Sequence, residues 1–493
     1  LFLLAFYVVY IKKNYYILSE ITFIGDETRN KQMKLLLKIL GSLLLILVII
    51  IAFSIRPVDY TPYFLTSYYQ TTLDSLKIWE DRLLDFPKLP EGNESLAGFS
   101  KISITPGTGV PLAGYADRNG LPNHGVHDSL FASTLAIKSG DQEVLFVGLD
   151  ALIFPRNLAD AVITQVSSKT GLKRHQILFG ATHTHSGPGA WQKGWLAQKF
   201  AGNYDDTSFQ FLTQQICKSI LAAHANLSPA KIGFSSVNLP EYTKNRLVKE
   251  KGTIDPEFSF GIVEFADSRQ VVWGSYSAHA TTLSGENMLY SGDYPGYWVR
   301  RIGDQAGGQA FFMAGGVGSH SPKGIGHDFE RSRFIGEATA DIVLKYVKTV
   351  QFDDVWPVFS IGIKVNLPEP HIRISNHWRL APWLAKKIVF ENETYLQIMR
   401  IGKTLIIGAP ADFSGELAAQ LKDYAYRQGY RLVVTSFNGS YIGYIVPSKY
   451  YHLDEYESRL MSFFGPTIGD YFPDLMRRMI DLAIFKPNAQ TLR

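Results

Sequence analysis

The longest uncharged apolar run in the chain is Ile39 to Phe53 (ILGSLLLILVIIIAF), preceded by Lys34 and Lys38 and closed by Arg56 and Pro57. Counted with or without the turn from Leu35, it gives about 15 to 21 residues, enough for a bilayer-spanning helix or a signal sequence. Lysines before the run and a long polar chain after it place the C-terminal body on the extracytoplasmic side. Residues 33–56 are therefore expected to be a membrane anchor. The alternative is a secreted protein, since Ala52-Phe53-Ser54 also fits a small-x-small cleavage site. The first methionine is Met33, and residues 1–32, which open on a second apolar stretch (LFLLAFYVVYI), are set aside as an uncertain extension.

Past the anchor the pattern changes. Leu73, Leu76, Trp79, Leu83 and Leu84 recur at helical spacing between Tyr68 and Asp85, and Pro87, Pro90 and Gly92 then break it, so 57–97 reads as a juxtamembrane helix and linker. From Gly98 onward, short β-type runs (101–105, 129–137, 143–149, 176–182, 258–265, 271–277) alternate with helical stretches (157–168, 208–225, 331–349). A second set follows, with strands at 358–367, 394–401, 404–407 and 431–436 and helices at 414–428 and 469–485. Alternation of this kind predicts an α/β fold with mixed β-sheets flanked by helices. With no repeat or low-complexity divider, 98–493 is expected to be a single large catalytic domain.

Composition narrows the function. The 493 residues are 46% hydrophobic and 19% charged, which excludes a disordered chain. A net charge of +4 from 49 basic and 45 acidic residues is too thin for a nucleic-acid footprint, so no nucleic-acid partner is expected. The single cysteine, Cys217, rules out an intramolecular disulfide and a multi-cysteine zinc site, leaving nitrogen and oxygen ligands for any metal.

The segment Gln176 to Gly189 (QILFGATHTHSGPG) carries the strongest chemical signal. If Ile177 to His185 is extended, His183 and His185 project to one face, and the Ser-Gly-Pro-Gly turn leaves both imidazoles at the strand's C-terminal tip, where α/β sheets keep their sites. Such a pair can supply two metal ligands, or one ligand and a neighbouring acid/base; two histidines hydrogen-bonded in a turn is the plain alternative. By themselves, His279 in GSYSAHATT, Asp412 in GAPADF, Ser321 in GSHSP and the tyrosine-rich tract 440–458 each have ordinary structural readings, Asp412 that of a helix N-cap.

Taken together and in this order, those segments resemble the catalytic domain of the neutral/alkaline non-lysosomal ceramidases, zinc amidases that hydrolyse N-acylsphingosines. Ala181 to Gly189 matches the family's ATHTHSGPG. His279-Ala-Thr-Thr282 with Ser291-Gly-Asp293 and Gly296-Tyr297, Pro410-Ala-Asp-Phe413, and Tyr441, Tyr444 and Tyr456-Glu457 are similar to its later motifs. The resemblance runs from about Gly98 to the C-terminus. It implies Zn2+ held by His183, His279, Asp412 and Tyr444, with His185, Arg246, Ser321 and Tyr456 as catalytic or substrate-contacting groups and His127 as a substrate-side residue near the site. Such a nitrogen/oxygen set suits zinc, which would bring the pKa of a bound water from about 15.7 to near 7 for attack on an amide carbonyl. His185 would then move the proton, Arg246 and Tyr456 would face the oxyanion, and Ser321 would contact substrate.

The chain also departs from the family. Asp412 stands for the usual Glu, Gly318-Ser-His-Ser-Pro-Lys323 for Gly-Asn/Asp-x-Ser-Pro-Asn, and Asp128 follows His127 where an Arg is usual. The stretch between Ser321 and Asp412 is short, and no C-terminal immunoglobulin-like domain is expected. The expected function is a zinc-dependent amidase acting on ceramide or a related lipid amide at a membrane. The alternatives are a hydrolase of the same fold acting on a non-lipid amide or ester, and an inactive membrane-anchored binding protein.

Overall fold

The computed structural model describes residues 26–84, 95–306, 308–352, 357–389 and 391–484. The expected linker with Pro87, Pro90 and Gly92 lies outside them, as do the first 25 residues of the uncertain extension. Two compact units divide the chain, Leu1–Pro57 and Val58–Arg493. In the first, helix α1 (Asp26–Ser54) starts ahead of Met33 and exposes its apolar side chains throughout. Its stretch Arg29–Ser54 is long and apolar enough to cross a membrane, a test that a signal sequence also passes.

The second unit is built on two sheets. Eight strands form the larger: β1 (Ser95–Ser103), β2 (Phe131–Ser139), β3 (Gln142–Leu149), β4 (Ile177–Ala181), β5 (Ser228–Asn238), β6 (Glu257–Phe265), β7 (Gln270–Tyr276) and β8 (Gln309–Ala314), in the order β8-β7-β6-β5-β1-β2-β3-β4. Both outer pairs, β3/β4 and β7/β8, are parallel, and the rest are antiparallel. The smaller sheet runs β9 (Val358–Asn366), β10 (Glu393–Ile401), β11 (Thr404–Gly408), β12 (Arg431–Thr435), with β11/β12 parallel.

Side-chain alternation along the strands explains the layering. Leu405 and Ile407 of β11 face outward, against α2 (Ser67–Leu84), α7 (Gly415–Arg427) and α8 (Ile468–Ile484), while Ile406 between them packs with Met399 and Val433 onto Val144, Phe146 and Leu178 of the larger sheet. The far face of that sheet is covered by α3 (Arg156–Thr170) with α4 (Asp206–Ala225) at one end and by α5 (Asp293–Ala306) with α6 (Asp328–Val347) at the other. The result is four layers, helices, sheet, sheet, helices, as an α/β reading requires. Helix α2, expected as a juxtamembrane element, buries Tyr69, Leu76 and Leu83 in the outer core of the smaller sheet.

Three elements escape the periodicity argument. Strand β1 begins at Ser95, well before the expected Lys101, and its SLAGFS start has few large apolar residues because α4 crosses directly over it. A Cβ on Gly98 would fall 2.1 Å from the Ala223 carbonyl oxygen. Strand β5 mixes polar residues on a half-exposed surface, and α5 carries Pro295 and Gly296 in its first turns.

Candidate metal centre and its cleft

Much of the centre stands just beyond the C-terminal ends of parallel strand pairs. Leu152 follows β3, His183 follows β4, His279 follows β7, Val317 follows β8, Asp412 follows β11 and Phe437 follows β12. The expectation that Ile177 to His185 is one extended strand is corrected here. Strand β4 stops at Ala181, and His183 takes a left-handed conformation with φ 61°. That conformation is uncommon for a residue with a Cβ and disfavoured by roughly 1–2 kcal/mol, so its surroundings must hold it. They do so by the His183 Nδ1–H donated to the Leu152 carbonyl (2.6 Å) and by a stacked Phe437 ring (4.3 Å).

The turn thereby aims both imidazoles inward by a route other than strand alternation. His185 is fixed from behind by Arg118, a buried guanidinium that donates to the carbonyls of His185, Ser284 and Gly285. Gly114, at φ 130°, must lack a side chain, since its Cβ would lie 2.7 Å from the His185 Cα. Asp412 and Tyr444 are brought side by side as register partners in a short parallel ladder of 412–413 with 444–445. Arg246 follows the ladder of 243–245 with 320–322 and is tied by its N–H to the Ser319 carbonyl.

At the centre, His183 Nε2 lies 2.7 Å from His279 Nε2, 3.3 Å from His185 Nε2 and 3.3 Å from Asp412 Oδ1. His279 Nδ1–H is donated to the Val317 carbonyl at 3.2 Å. With both Nδ1 atoms committed to carbonyls, His183 and His279 turn Nε2 lone pairs toward each other, an arrangement that needs a cation between them. Asp412 Oδ2 accepts a hydrogen bond from Tyr441 (2.8 Å), whereas the buried Oδ1 has no hydrogen-bond partner among the described residues. The 3.3 Å separations are those of two ligands on one tetrahedral zinc ion, and the 2.7 Å pair is tighter. The donor set thus fits a metal ion, and His183, His185 and His279 can each present one nitrogen to it.

Arg246 spans the far side of the cluster. Its Nε pairs with Glu457 Oε1 at 2.6 Å and an Nη donates to the Tyr444 hydroxyl at 3.0 Å, while the Tyr456 ring meets Tyr444 edge-on. A cleft of about 900 Å³, counted to its solvent mouth, opens on the centre. His183, His185, Asp412, Tyr441, Tyr444 and Tyr456 share its wall with Leu152, Trp191, Leu196, Phe200, Met461 and Phe463.

Burial sets the protonation states. It pushes His183 down to about 3 and His185 and His279 well below the usual imidazole value, so all three are neutral. Burial also raises the Asp412 carboxyl to about 7, against the lowering influence of Tyr441 and Arg246. In the metal-free protein the signs are opposite. The unfolded chain binds more protons at the histidines between their depressed values and about 6.5, so their contribution is lost as pH falls through that window. For Asp412 the folded chain holds the extra proton between about 4 and 7, so its contribution is lost as pH rises. Three imidazoles outweigh one carboxyl. Thermal unfolding of metal-free protein is expected at lower temperature at pH 4.5 than at pH 6.5, and Asp412→Asn should gain on the wild type from pH 5 to pH 8. An Asn–Asp difference that does not change with pH would contradict the assignment.

Residues 96–317 match the family described as neutral/alkaline non-lysosomal ceramidase, N-terminal. The chain resembles that ceramidase family over this span, a little under half of its length. Among curated relatives, it is 28% identical over 231 residues to neutral ceramidase 1 of Arabidopsis thaliana, covering 43% of this chain and 29% of the relative. With the neutral ceramidase of Pseudomonas aeruginosa it is 25% identical over 269 residues, covering 48% and 40%. The chain therefore spans well under half the length of these relatives. The crystal structure of the Pseudomonas aeruginosa neutral ceramidase superposes with a TM-score of 0.67 at 20% identity, covering 79% of this chain and 74% of that one. A second solved structure, a ceramidase complexed with C2, gives 0.66 at 18% identity. At those identities the likeness establishes the shared ceramidase fold.

Against the family resemblance, the fold brings together His183, His185, His279, Asp412, Tyr444, Arg246 and Tyr456. Five of these line the cleft, and His279 and Arg246 join them through His183 and Tyr444, contacts that two other candidates do not share. His127 is exposed, bonded to Asp128 and stacked at 3.8 Å on Phe329, and it does not line the cleft. Ser321 lies on the ladder with 243–245, its buried Oγ without a hydrogen-bond partner among the described residues, and it too is absent from the cleft wall. Sequence reasoning gave no role to Tyr441 or Glu457, although both stand in the quoted ceramidase motifs. The first orients Asp412 and the second holds Arg246, contacts that no spacing along the chain encodes.

Proposed function

We propose that this chain is a zinc-dependent amidase that hydrolyses the N-acyl amide bond of ceramide or a related lipid amide in the cleft over His183. The observation that carries this reading is the shared wall: the same cleft that presents His183, His185, Asp412 and Tyr444 is lined for the larger part by apolar side chains suited to an acyl chain, alongside Arg156, Gln192 and Glu391. His183, His279, Asp412 and Tyr444 would hold the ion, and the shorter Asp412 is steered toward His183 by the Tyr441 hydrogen bond. Zinc there supplies an activated water and a Lewis acid for the amide carbonyl.

His185 is the proton carrier in this scheme. It is neutral through burial, its Nε2 faces the centre, and its Nδ1 has no hydrogen-bond partner among the described residues. Arg246 remains charged. Burial opposes that charge, but Tyr444, Glu457 and Asp412 together raise its pKa, so the guanidinium and the Tyr456 hydroxyl are placed to bind charge developing on the carbonyl oxygen. Tyr456 stands 41% exposed on the cleft wall, where the larger part of a lipid amide would enter. Ser321 and His127 are assigned no step in this scheme.

Helix α1, read as an anchor with the lysines on the cytoplasmic side, would keep the enzyme at the extracytoplasmic surface in which such lipids dissolve. The test is an assay of the purified chain on ceramides of graded acyl length beside short N-acyl amines. Turnover should favour the long-chain ceramides, stop on chelation and return with zinc. Turnover confined to the short compounds would sink the lipid-amide assignment.

A further inference from the structure

One turn, residues 315–320, touches three of the segments that build the centre, those of His279, Asp412 and Arg246. The Val317 carbonyl accepts from His279 Nδ1–H and the His320 carbonyl from the His279 N–H. The Gly318 N–H donates to the Phe413 carbonyl, and the Ser319 carbonyl accepts from the Arg246 N–H. The spacing is tight, since a Cβ on Gly318 would lie 2.2 Å from the Asp412 carbonyl oxygen.

What fixes this turn is a buried polar strut behind it. His320 is fully buried, and its Nε2 accepts the Asp255 N–H at 2.9 Å, which commits the ring's proton to Nδ1. Nδ1–H then donates to Ser319 Oγ at 2.9 Å. Ser319 Oγ meets Ser414 Oγ at 2.8 Å, and Ser414 caps α7 by accepting the Glu416 N–H. The Asp255 carboxylate closes a second path to the same turn, because Ser277 Oγ donates to it (2.7 Å) and accepts from the Gly316 N–H (3.0 Å). Lys422 holds that carboxylate at 2.9 and 3.1 Å and also reaches Glu257 at 3.2 Å. The imidazole packs so closely on α7 that a Cβ at Gly415 would fall 2.4 Å from it.

We propose that His320 and Ser319, anchored on Asp255, are positioning residues for the metal centre, holding the turn so that His279 and Asp412 face one ion. The inference rests on the reading of that centre as a zinc site. A ring with one acceptor and one donor on opposite edges is what the strut needs: an apolar side chain at 320 would leave the buried Asp255 N–H unpaired, and an alanine at 319 would break the link to Ser414. Partners behind first ligands commonly tune metal affinity 10–100-fold.

The test measures zinc affinity of metal-free protein by competition with a chromogenic chelator, without any lipid substrate. Ser319→Ala and His320→Leu are expected to weaken zinc binding 10–100-fold, and His320→Gln, which restores an acceptor, should return to within a few-fold of wild type. Val343→Ala, a core change on α6 that removes none of the strut's hydrogen bonds, should lower the melting temperature and leave zinc affinity unchanged. Wild-type affinity in folded Ser319→Ala or His320→Leu overturns the proposal, as does equal weakening by Val343→Ala. Should His320→Leu fail to fold, Ser319→Ala decides alone. A wild-type protein that binds no zinc would instead overturn the metal centre itself.

Discussion

Alanine in place of His183 is expected to abolish zinc binding and to lower amide turnover by about 10³-fold or more, since removing a direct ligand should exceed the 10–100-fold effect of losing a partner behind one. The His183 Nε2 stands within 3.3 Å of His279, His185 and Asp412 at once, a placement that no other side chain shares among the described residues. The same change removes the Nδ1–H bond to Leu152 and the stacking on Phe437, the two contacts that hold residue 183 at positive φ. The turn from Thr182 to Gly187 remains tied by Thr184 Oγ1–H to the Ser291 carbonyl and by the His185 N–H to the Ala280 carbonyl, so the variant should fold. Zinc content by elemental analysis and melting temperature with and without zinc are the measurements. Retention of one tightly bound zinc per chain in His183→Ala would refute the ligand assignment.

Arg246→Gln is the second large effect, and it should act on two quantities that can be separated. Loss of a charge aimed at a developing oxyanion should reduce kcat by about 10²–10³-fold with little change in KM. Loss of the ion pair to Glu457 leaves a carboxylate that is 7% exposed without its partner, which should destabilise the fold by about 3 kcal/mol; that is the lower end for a broken buried pair, because the guanidinium side is 23% exposed. Adding Glu457→Gln should recover most of the stability and none of the rate. The double-mutant cycle therefore distinguishes the two roles of Arg246. Recovery of activity along with stability would show that Arg246 serves only to hold Glu457 and Tyr444 in place.

Much of this site was legible in the order of its residues, but contact by contact it was not. His183, His279, Asp412 and Tyr444 were each ambiguous alone, and only the succession of motifs made them a set. Sequence spacing suggested that His183 and His185 converge because strand side chains alternate, whereas the strand ends at Ala181 and a left-handed residue does the turning. His127 and Ser321 followed the same motif logic and are not in the cleft, because a motif records which residue types occur and carries no information about which surface a ladder or loop presents. Strand β1 was largely missed for a related reason. Its small residues look like a loop along the chain but are small because helix α4 lies against them.

By itself, then, the sequence determined the local matters: an apolar helix near the N-terminus, an α/β alternation after Gly98, the exclusion of a thiolate metal site, and the residue types of an N/O ligand set. Those follow from periodicity and side-chain chemistry, which act over a few residues. Only the tertiary structure decided that the C-terminal ends of three parallel strand pairs converge, that Tyr441 orients Asp412 and Glu457 holds Arg246, and that a strut through His320 stands behind the centre. These depend on register and layer packing between segments far apart in the chain, where the energy of a contact is set by geometry that no local pattern encodes.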